Sequence, residues 1–303
     1  MFKMIDASDP GFRSGAKVGA FKGACQNLSN SDYHALDSYW SSTNLKYLFD
    51  KSPAHFHQYY LGKHRPEPKK PSEDMMLGSL VHTLTLTPNE YEKEFFIMPD
   101  LNFRTNEGKA EKQRLLTENA GKQAISREML IEANQIKSAI MMKYGKLIEP
   151  AVKEASIFWT CKFSELNFRA KIDGIHDSYW LELKTMRSAK ADDFSRQLHK
   201  LNYDLSLCHY RQAIQAMGID NLPAIFIAAE TDSVNGRDYE VQDYDVDIGC
   251  WETGHMKWMD AVTKLENGIK GDKWPGYFPE GMRPKINPPP WAMRPQMAGG
   301  RDD

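Results

Sequence analysis

Cysteine is scarce in this chain. Four occur among 303 residues, at Cys25, Cys161, Cys208 and Cys250, with no C-x-x-C spacing and no clustering. Thiols scattered in this way argue against a disulfide framework and a four-cysteine iron–sulfur cluster, and they make the cytoplasm the natural compartment. Long apolar runs are also missing. No stretch approaches the roughly 18 residues of a membrane-spanning helix, so no membrane partner is expected. Residues 1–30 lack the apolar run of a secretory leader. Nor does one sign of charge dominate: 39 Lys and Arg stand against 41 Asp and Glu, a formal charge of −2. The molecule as a whole therefore offers no general attraction for nucleic acid, and any such footprint must be a local stripe. Candidate stripes lie at residues 63–70, 104–114 and 187–200, and each reads equally as a solvated helix face. There is no internal repeat.

What is present is an ordinary folding composition. Hydrophobic residues make up 41% and charged residues 26%, and the length allows one elaborated domain or two small ones. Residues 1–30 mix Gly, Ser and charge without period and read as a loose or partly ordered arm. Aromatics and leucines at helical spacing follow over 31–62, broken at Pro53. The prolines and lysines of 64–71 read as a loop. Ser72 and Glu73 lead into a helix over about 75–86, stopped by Pro88. The segment 108–147 reads as helical, with Met129, Leu130, Ala133, Ile136, Ala139 and Ile140 on one apolar face. Strand patterns occupy 154–161, 166–173 and 179–185. Helices return over 190–218, strands over 223–230 and 239–246, and a helix over 248–268. The expected class is α/β, with helices on both faces of a short central mixed sheet. The tail, 279–303, carries Pro284, Pro288, Pro289, Pro290 and Pro295 and cannot bury enough surface to fold alone. It reads as a disordered terminus or as a docking strand for a partner.

The chemistry concentrates in Asp173-Gly-Ile-His-Asp-Ser-Tyr-Trp-Leu-Glu182-Leu-Lys184. Side chains alternate along a strand, so Glu182 and Lys184 project to one side. The Asp173-Gly174 step reads as the start of a short connection that swings Asp173 beside them. Two carboxylates and an ammonium at one spot suit Mg²⁺ and an activated water, with the lysine steadying developing negative charge. Acidic-x-basic triplets are also common on solvated strands. Here Trp180, Leu181 and Leu183 flank the charges, and buried charges persist only when paired or metal-bound.

Further blocks accompany that segment in order. They are Trp40-Ser-Ser-Thr-Asn-Leu-Lys46 with Ser52-Pro-Ala-His-Phe56; Met76-Leu-Gly-Ser-Leu-Val-His82 with Leu86-Thr-Pro88; Glu154-Ala-Ser-Ile-Phe-Trp159; Arg169-Ala-Lys-Ile-Asp173-Gly; Leu181-Glu-Leu-Lys184-Thr; and Trp274-Pro-Gly-Tyr277. From about Tyr33 to Tyr277 the chain resembles the RecE-type (exonuclease VIII-like) branch of the PD-(D/E)xK nuclease superfamily. The resemblance implies a PD-(D/E)xK core over 31–278 with N-terminal helical additions, between the arm at 1–30 and the tail at 279–303. It also implies site roles. His82, which by itself reads more often as a core histidine, becomes a metal ligand beside Asp173, Glu182 and the Leu183 carbonyl. Lys184 positions the attacking water, and Glu154 is a possible accessory acid. Two Mg²⁺ ions per site are implied, with Mn²⁺ as substitute. Ser41, Thr43 and Lys46 match the position of a pocket for a DNA 5′ phosphate, although Ser41 also reads as a helix cap.

One position departs from the resemblance. Family members carry Gln four residues before a tyrosine on the helix after the lysine; here Ser206 precedes Tyr210. The pair shares a helix face for DNA contact, but serine reaches less far. The implied activity is Mg²⁺-dependent 5′-to-3′ digestion of linear double-stranded DNA, leaving 3′ overhangs for phage-type recombination in a bacterial cytoplasm. The implied partners are DNA ends, two or three further copies in a homo-oligomeric trimer or tetramer ring, and a single-strand annealing protein. Two other readings stand beside it: an endonuclease or single-strand nuclease on the same core, and a non-catalytic end-binding scaffold.

Overall fold

In the computed structural model, which describes residues 3–63, 70–102, 104–236, 238–278 and 280–289, the chain opens with β1 (Met4–Asp6), α1 (Pro10–Lys17), β2 (Gly23–Gln26) and α2 (Asn30–His34). Next come α3 (Ser42–Asp50), α4 (Pro53–Phe56), α5 (Glu73–Leu86), α6 (Tyr91–Glu94), β3 (Phe95–Ile97), α7 (Asn106–Glu118), β4 (Gln123–Ile125) and α8 (Arg127–Ile148). The strand-rich middle is β5 (Val152–Thr160), β6 (Asn167–Ile175) and β7 (Trp180–Met186). The chain then runs through α9 (Ala191–Lys200), α10 (Tyr203–Ala216), β8 (Ala224–Glu230), β9 (Val241–Asp245) and α11 (Ile248–Gly271).

One mixed sheet in the order β1-β2-β5-β6-β7-β8-β9 organises the molecule, and β3 pairs with β4 apart from it. The pairs β5–β6, β6–β7 and β8–β9 are antiparallel. β7 and β8 run parallel, joined through α9 and α10, because a parallel return needs a long crossover. On one face Leu45, Leu48, Leu205, Leu207, Trp258 and Leu265 cover Ile157, Phe168, Trp180 and Phe226. On the other, Leu80, Val81, Leu84, Ile136 and Ile140 cover Leu181, Leu183, Ile227 and Ala229. A sheet buried on both faces explains the near-continuous apolar run of β8.

Four sequence expectations need correction. Residues 4–26 are not a loose arm: β1 and β2 extend the sheet beyond β5, and Phe12, Ala16, Cys25, Leu28, Tyr33 and Tyr39 pack with Phe158. Strands of three and four residues are too short to announce themselves by period, yet Asp9 caps α1 by accepting from the Gly11 and Phe12 amides. The N-terminal addition is therefore part sheet, not helical alone. The segment 108–147 is two helices, with Gly121 at φ +88 and β4 between α7 and α8. Asp173 and Gly174 do not begin a connection; both lie inside β6. Gly174 is required by packing, since a Cβ there would meet Leu181 Cγ at 2.9 Å and Ala151 Cβ at 3.3 Å. The loop reading at 64–71 and the stripe at 63–70 fall largely outside the described residues, as do Pro290 and Pro295 of the tail.

Candidate metal centre

Three acids form one row across three strands. Lys153 pairs with Gly174 and Ala155 with Ile172, which sets Glu154 opposite Asp173. The β6–β7 ladder pairs Ile175 with Trp180 and Gly174 with Leu181, then stops, which sets Asp173 opposite Glu182 where the strands part. Side chains take over the freed backbone groups. Asp173 Oδ2 accepts from the Leu183 amide at 2.7 Å, and Glu182 Oε1 accepts from the Asp173 amide at 3.5 Å. Groups that would otherwise hold strand to strand thus hold two carboxylates in place.

Helix α5 brings the histidine. Ser72 caps its first turn by accepting from the Met75 amide. At Gly78 a Cβ would lie 2.7 Å from Thr185 Oγ1, so the missing side chain lets α5 approach β7. One turn on, on the same helix face, His82 places Nε2 2.9 Å from Asp173 Oδ2 and Nδ1 3.4 Å from Glu154 Oε1. One ligand atom each from His82, Glu154 and Asp173 lie within 4.8 Å of one another. Two hard carboxylate oxygens and an imidazole suit a divalent cation. Glu154 joins this group through an unusual backbone, φ +52 within a strand, where a non-glycine residue costs about 1–2 kcal/mol.

Lys184 stands against the row. Its Nζ lies 2.8 Å from Glu182 Oε2, 3.0 Å from the Leu183 carbonyl and 3.5 Å from Asp173 Oδ2. The period-two reading of Glu182 and Lys184 therefore describes their contact. Glu182 and the Leu183 carbonyl engage the lysine and stand beside the three-residue group, not within it.

These neighbours set the charges. Burial alone would lower His82, but the charge and hydrogen bond of Asp173, with Glu154 beyond, carry it up to about 9. Burial would raise Asp173, but His82, Lys184 and the Leu183 amide hold it well below the usual carboxylate range. Burial and the Asp173 charge push Glu182 up to about 7 against the pull of Lys184. Burial likewise raises Glu154. Burial would lower Lys184, but Asp173 and Glu182 keep it well above its ordinary value.

Two cavities meet here. An open cleft of about 860 Å³ is lined by Asn30, Ser79, His82, Leu183, Lys184 and Tyr203 among others. An inner cavity of about 110 Å³ is lined by Lys46, Glu182, Lys184, Tyr203, Ser206 and Tyr210 among others. Burial and the like charge of Lys184 bring Lys46 down to about 8. The buried Ser206 Oγ has no hydrogen-bond partner, and the Tyr210 hydroxyl engages Ser42. Ser41 and Thr43 line neither cavity; Ser41 donates from its amide and hydroxyl to Asn44 Oδ1 at the start of α3, 2.8 Å each. In the stripes, Arg114 pairs with Glu111 and Glu118, Arg187 with Asp74 and Arg196 with Asp193, as solvated surfaces do.

Residues 41–280 match the family described as a PDDEXK-like domain of unknown function (DUF3799). The chain belongs to this PDDEXK-like family. A crystal structure of the protein named "Putative exonuclease" from Eubacterium rectale shares the fold, with a TM-score of 0.56 and 16% identity over 80% of this chain and 88% of that one. No curated protein matches the chain. Among the described residues, no helix is long and apolar enough to cross a membrane.

Sequence reading missed two residues at this candidate centre. Lys171 lies 3.5 Å from Glu154 Oε2; the alternation Arg169, Lys171, Asp173 along one strand face was its signal. Tyr203 lines both cavities, with its ring centroid 5.6 Å from Lys46 Nζ and 5.8 Å from Lys184 Nζ. It stands just after the left-handed Asn202 that joins α9 to α10, a joint with no local signature.

Proposed function

We propose that this chain is a divalent-metal-dependent exodeoxyribonuclease that degrades linear duplex DNA from its 5′ ends and leaves a 3′ single strand. The observation that carries the reading is the acid row Glu154, Asp173 and Glu182, with His82 and Lys184 against it. His82, Glu154 and Asp173 are the residues to hold Mg²⁺ or Mn²⁺, and Glu182 is the nearest further carboxylate for a second ion. Bound there, a divalent cation supplies an activated water and neutralises charge building on the scissile phosphate.

The chain's own groups do the rest. Asp173 remains ionised through its contacts with His82, Lys184 and the Leu183 amide. Lys184 stays protonated and faces both cavities, so its ammonium is placed to orient a nucleophile or hold a phosphate oxygen. Lys46 and the unengaged Ser206 hydroxyl offer a cation and a donor in the small inner cavity. A space of that size suits a terminal phosphate and not a continuing strand, which favours an enzyme working from ends. The RecE-type sequence blocks support the wider proposal of a ring of three or four copies that feeds a recombination pathway. On the same basis, the proline-rich tail is proposed to meet a single-strand annealing protein.

The test is digestion of linear duplexes labelled at either end, beside closed circles, in Mg²⁺ or in chelator. Loss of the 5′ label first, with circles spared, chelator blocking the reaction, and Lys184→Ala slower by about 100-fold or more, is the expected result. Cutting of circles supports the endonuclease instead. Tight DNA binding with no cleavage in Mg²⁺ or Mn²⁺ leaves only a scaffold.

A further inference from the structure

We infer that Lys171 is a positioning residue for Glu154, and that through it Leu28 and Asn30 support the metal centre. The inference rests on the metal-centre reading above. It concerns a segment that precedes residues 41–280, the stretch matched by the family.

Lys171 pairs with Ser156 across β5–β6, which makes it the diagonal neighbour of Glu154 on the same face. The Glu154 carboxylate is held from two sides. Oε1 lies 3.4 Å from His82 Nδ1, and Oε2 lies 3.5 Å from Lys171 Nζ. The lysine is itself fixed by the N-terminal segment, since Nζ donates to the Leu28 carbonyl at 2.9 Å and to Asn30 Oδ1 at 2.8 Å. Leu28, Asn30 and Glu154 together match the three donors of an ammonium.

The contacts then close into a ring. Asn30 Nδ2 donates to Glu94 Oε1 at 2.8 Å, and Glu94 Oε2 accepts from Thr83 Oγ1 at 2.8 Å. Thr83 follows His82 on α5. The path from Glu154 through Lys171, Asn30 and Glu94 therefore returns to the helix that carries the histidine. Two residues back on β6, Arg169 donates to the Tyr33 and Leu36 carbonyls, which pins the same segment a second time.

A lysine that served only to fasten the segment would be served by Leu28 and Asn30. Its contact with Glu154, a residue in a costly backbone conformation, points to a second task. That task is to turn one carboxylate oxygen toward His82 and Asp173 while holding the other. The alternative has the opposite sign: an ammonium acting by charge alone would repel a bound cation, and its removal would tighten binding.

Mn²⁺ binding, read from the loss of the free-ion electron paramagnetic resonance signal, separates the two. Lys171→Met is expected to weaken binding about tenfold, the usual scale for an outer-shell partner. Asn30→Ala shifts affinity in the same direction by less. In a Glu154→Gln background, Lys171→Met should cost less than about twofold more, because the lysine acts through that carboxylate. Unchanged or tighter binding in Lys171→Met, or losses that add in full, overturns the inference. Should Lys171→Met fail to fold, Asn30→Ala carries the test, since its side chain is exposed; unchanged affinity there is equally fatal. A wild-type chain that binds no Mn²⁺ overturns the metal centre itself and the inference with it.

Discussion

Glu154 shows at single-residue scale how much of the centre depends on contacts the sequence does not display. Its φ of +52 favours glycine, so the account predicts an inversion of ordinary strand preferences. Glu154→Gly should be more stable than Glu154→Ala by about 1 kcal/mol, with both variants binding Mn²⁺ more weakly; urea titrations of the pair decide it. Asp173, Glu182 and Lys184 were legible because they are close in sequence and strand period alone brings two of them together. His82's place beside Asp173 and Glu154 needed the family resemblance, because no local pattern tells a histidine of such a cluster from a core one. Lys171 showed only its alternation with Asp173 along one strand face, while cross-strand register decides its neighbours; Tyr203 was not legible, because the joint between α9 and α10 places it. A second histidine is expected to contribute to the loss of stability in acid. His209 is fully buried, receives the Trp258 indole N–H on Nδ1 at 3.2 Å, and places Nε2 2.9 Å from the Arg169 carbonyl. Burial, aided by Lys46 and opposed by the Arg169 contact, lowers it to about 4 from the ordinary 6.5. The unfolded chain therefore takes up the proton first as pH falls. This contribution is complete above pH 6.5 and is lost toward pH 4, amounting to about 3 kcal/mol. Since Glu182 titrates in the opposite sense over part of this window, the measure is the difference between wild type and His209→Gln. The variant's stability should fall less steeply with acid, and parallel curves would refute the assignment.

Among the elements, the approach of α5 to β7 is the contact on which the histidine's reach depends. A Cβ at Gly78 must displace Thr185 Oγ1 or push the helix away. Gly78→Ala is expected to weaken Mn²⁺ binding several-fold even though alanine favours the helix by about 1 kcal/mol. Adding Thr185→Ala should restore the affinity, whereas a loss that persists in the double variant would show that the spacing is not the cause. The boundaries of α5 were the most legible. Ser72 and Pro88 bracket α5 in the sequence as they do in the fold, and the apolar face read for α8 is the one it buries. Gly174 misled, because a glycine demanded by packing against Leu181 looks the same in sequence as one demanded by a turn. The short β1 and β2 carry too few residues for any period to show.

For the whole molecule, the N-terminal segment is part of the domain and not an appendage. It continues the sheet past β5, covers Phe158, and supplies the carbonyls that receive Arg169 and Lys171. A chain begun at residue 38 is therefore expected to bind a hydrophobic dye and lose cooperative melting, whereas native-like melting would show that the segment is dispensable. The sheet's middle strands and their helical cover were readable from composition and period, but the sheet's full width was not. Near-neutral net charge gave no hint of the centre, because its charges offset one another locally, His82, Lys171 and Lys184 against three acids. The most direct measurement is anomalous diffraction from crystals of the full chain grown with Mn²⁺. The account predicts a peak within bonding distance of His82, Glu154 and Asp173, with Lys184 beside it. A peak elsewhere, or none while His82 still bridges Asp173 and Glu154, would contradict it.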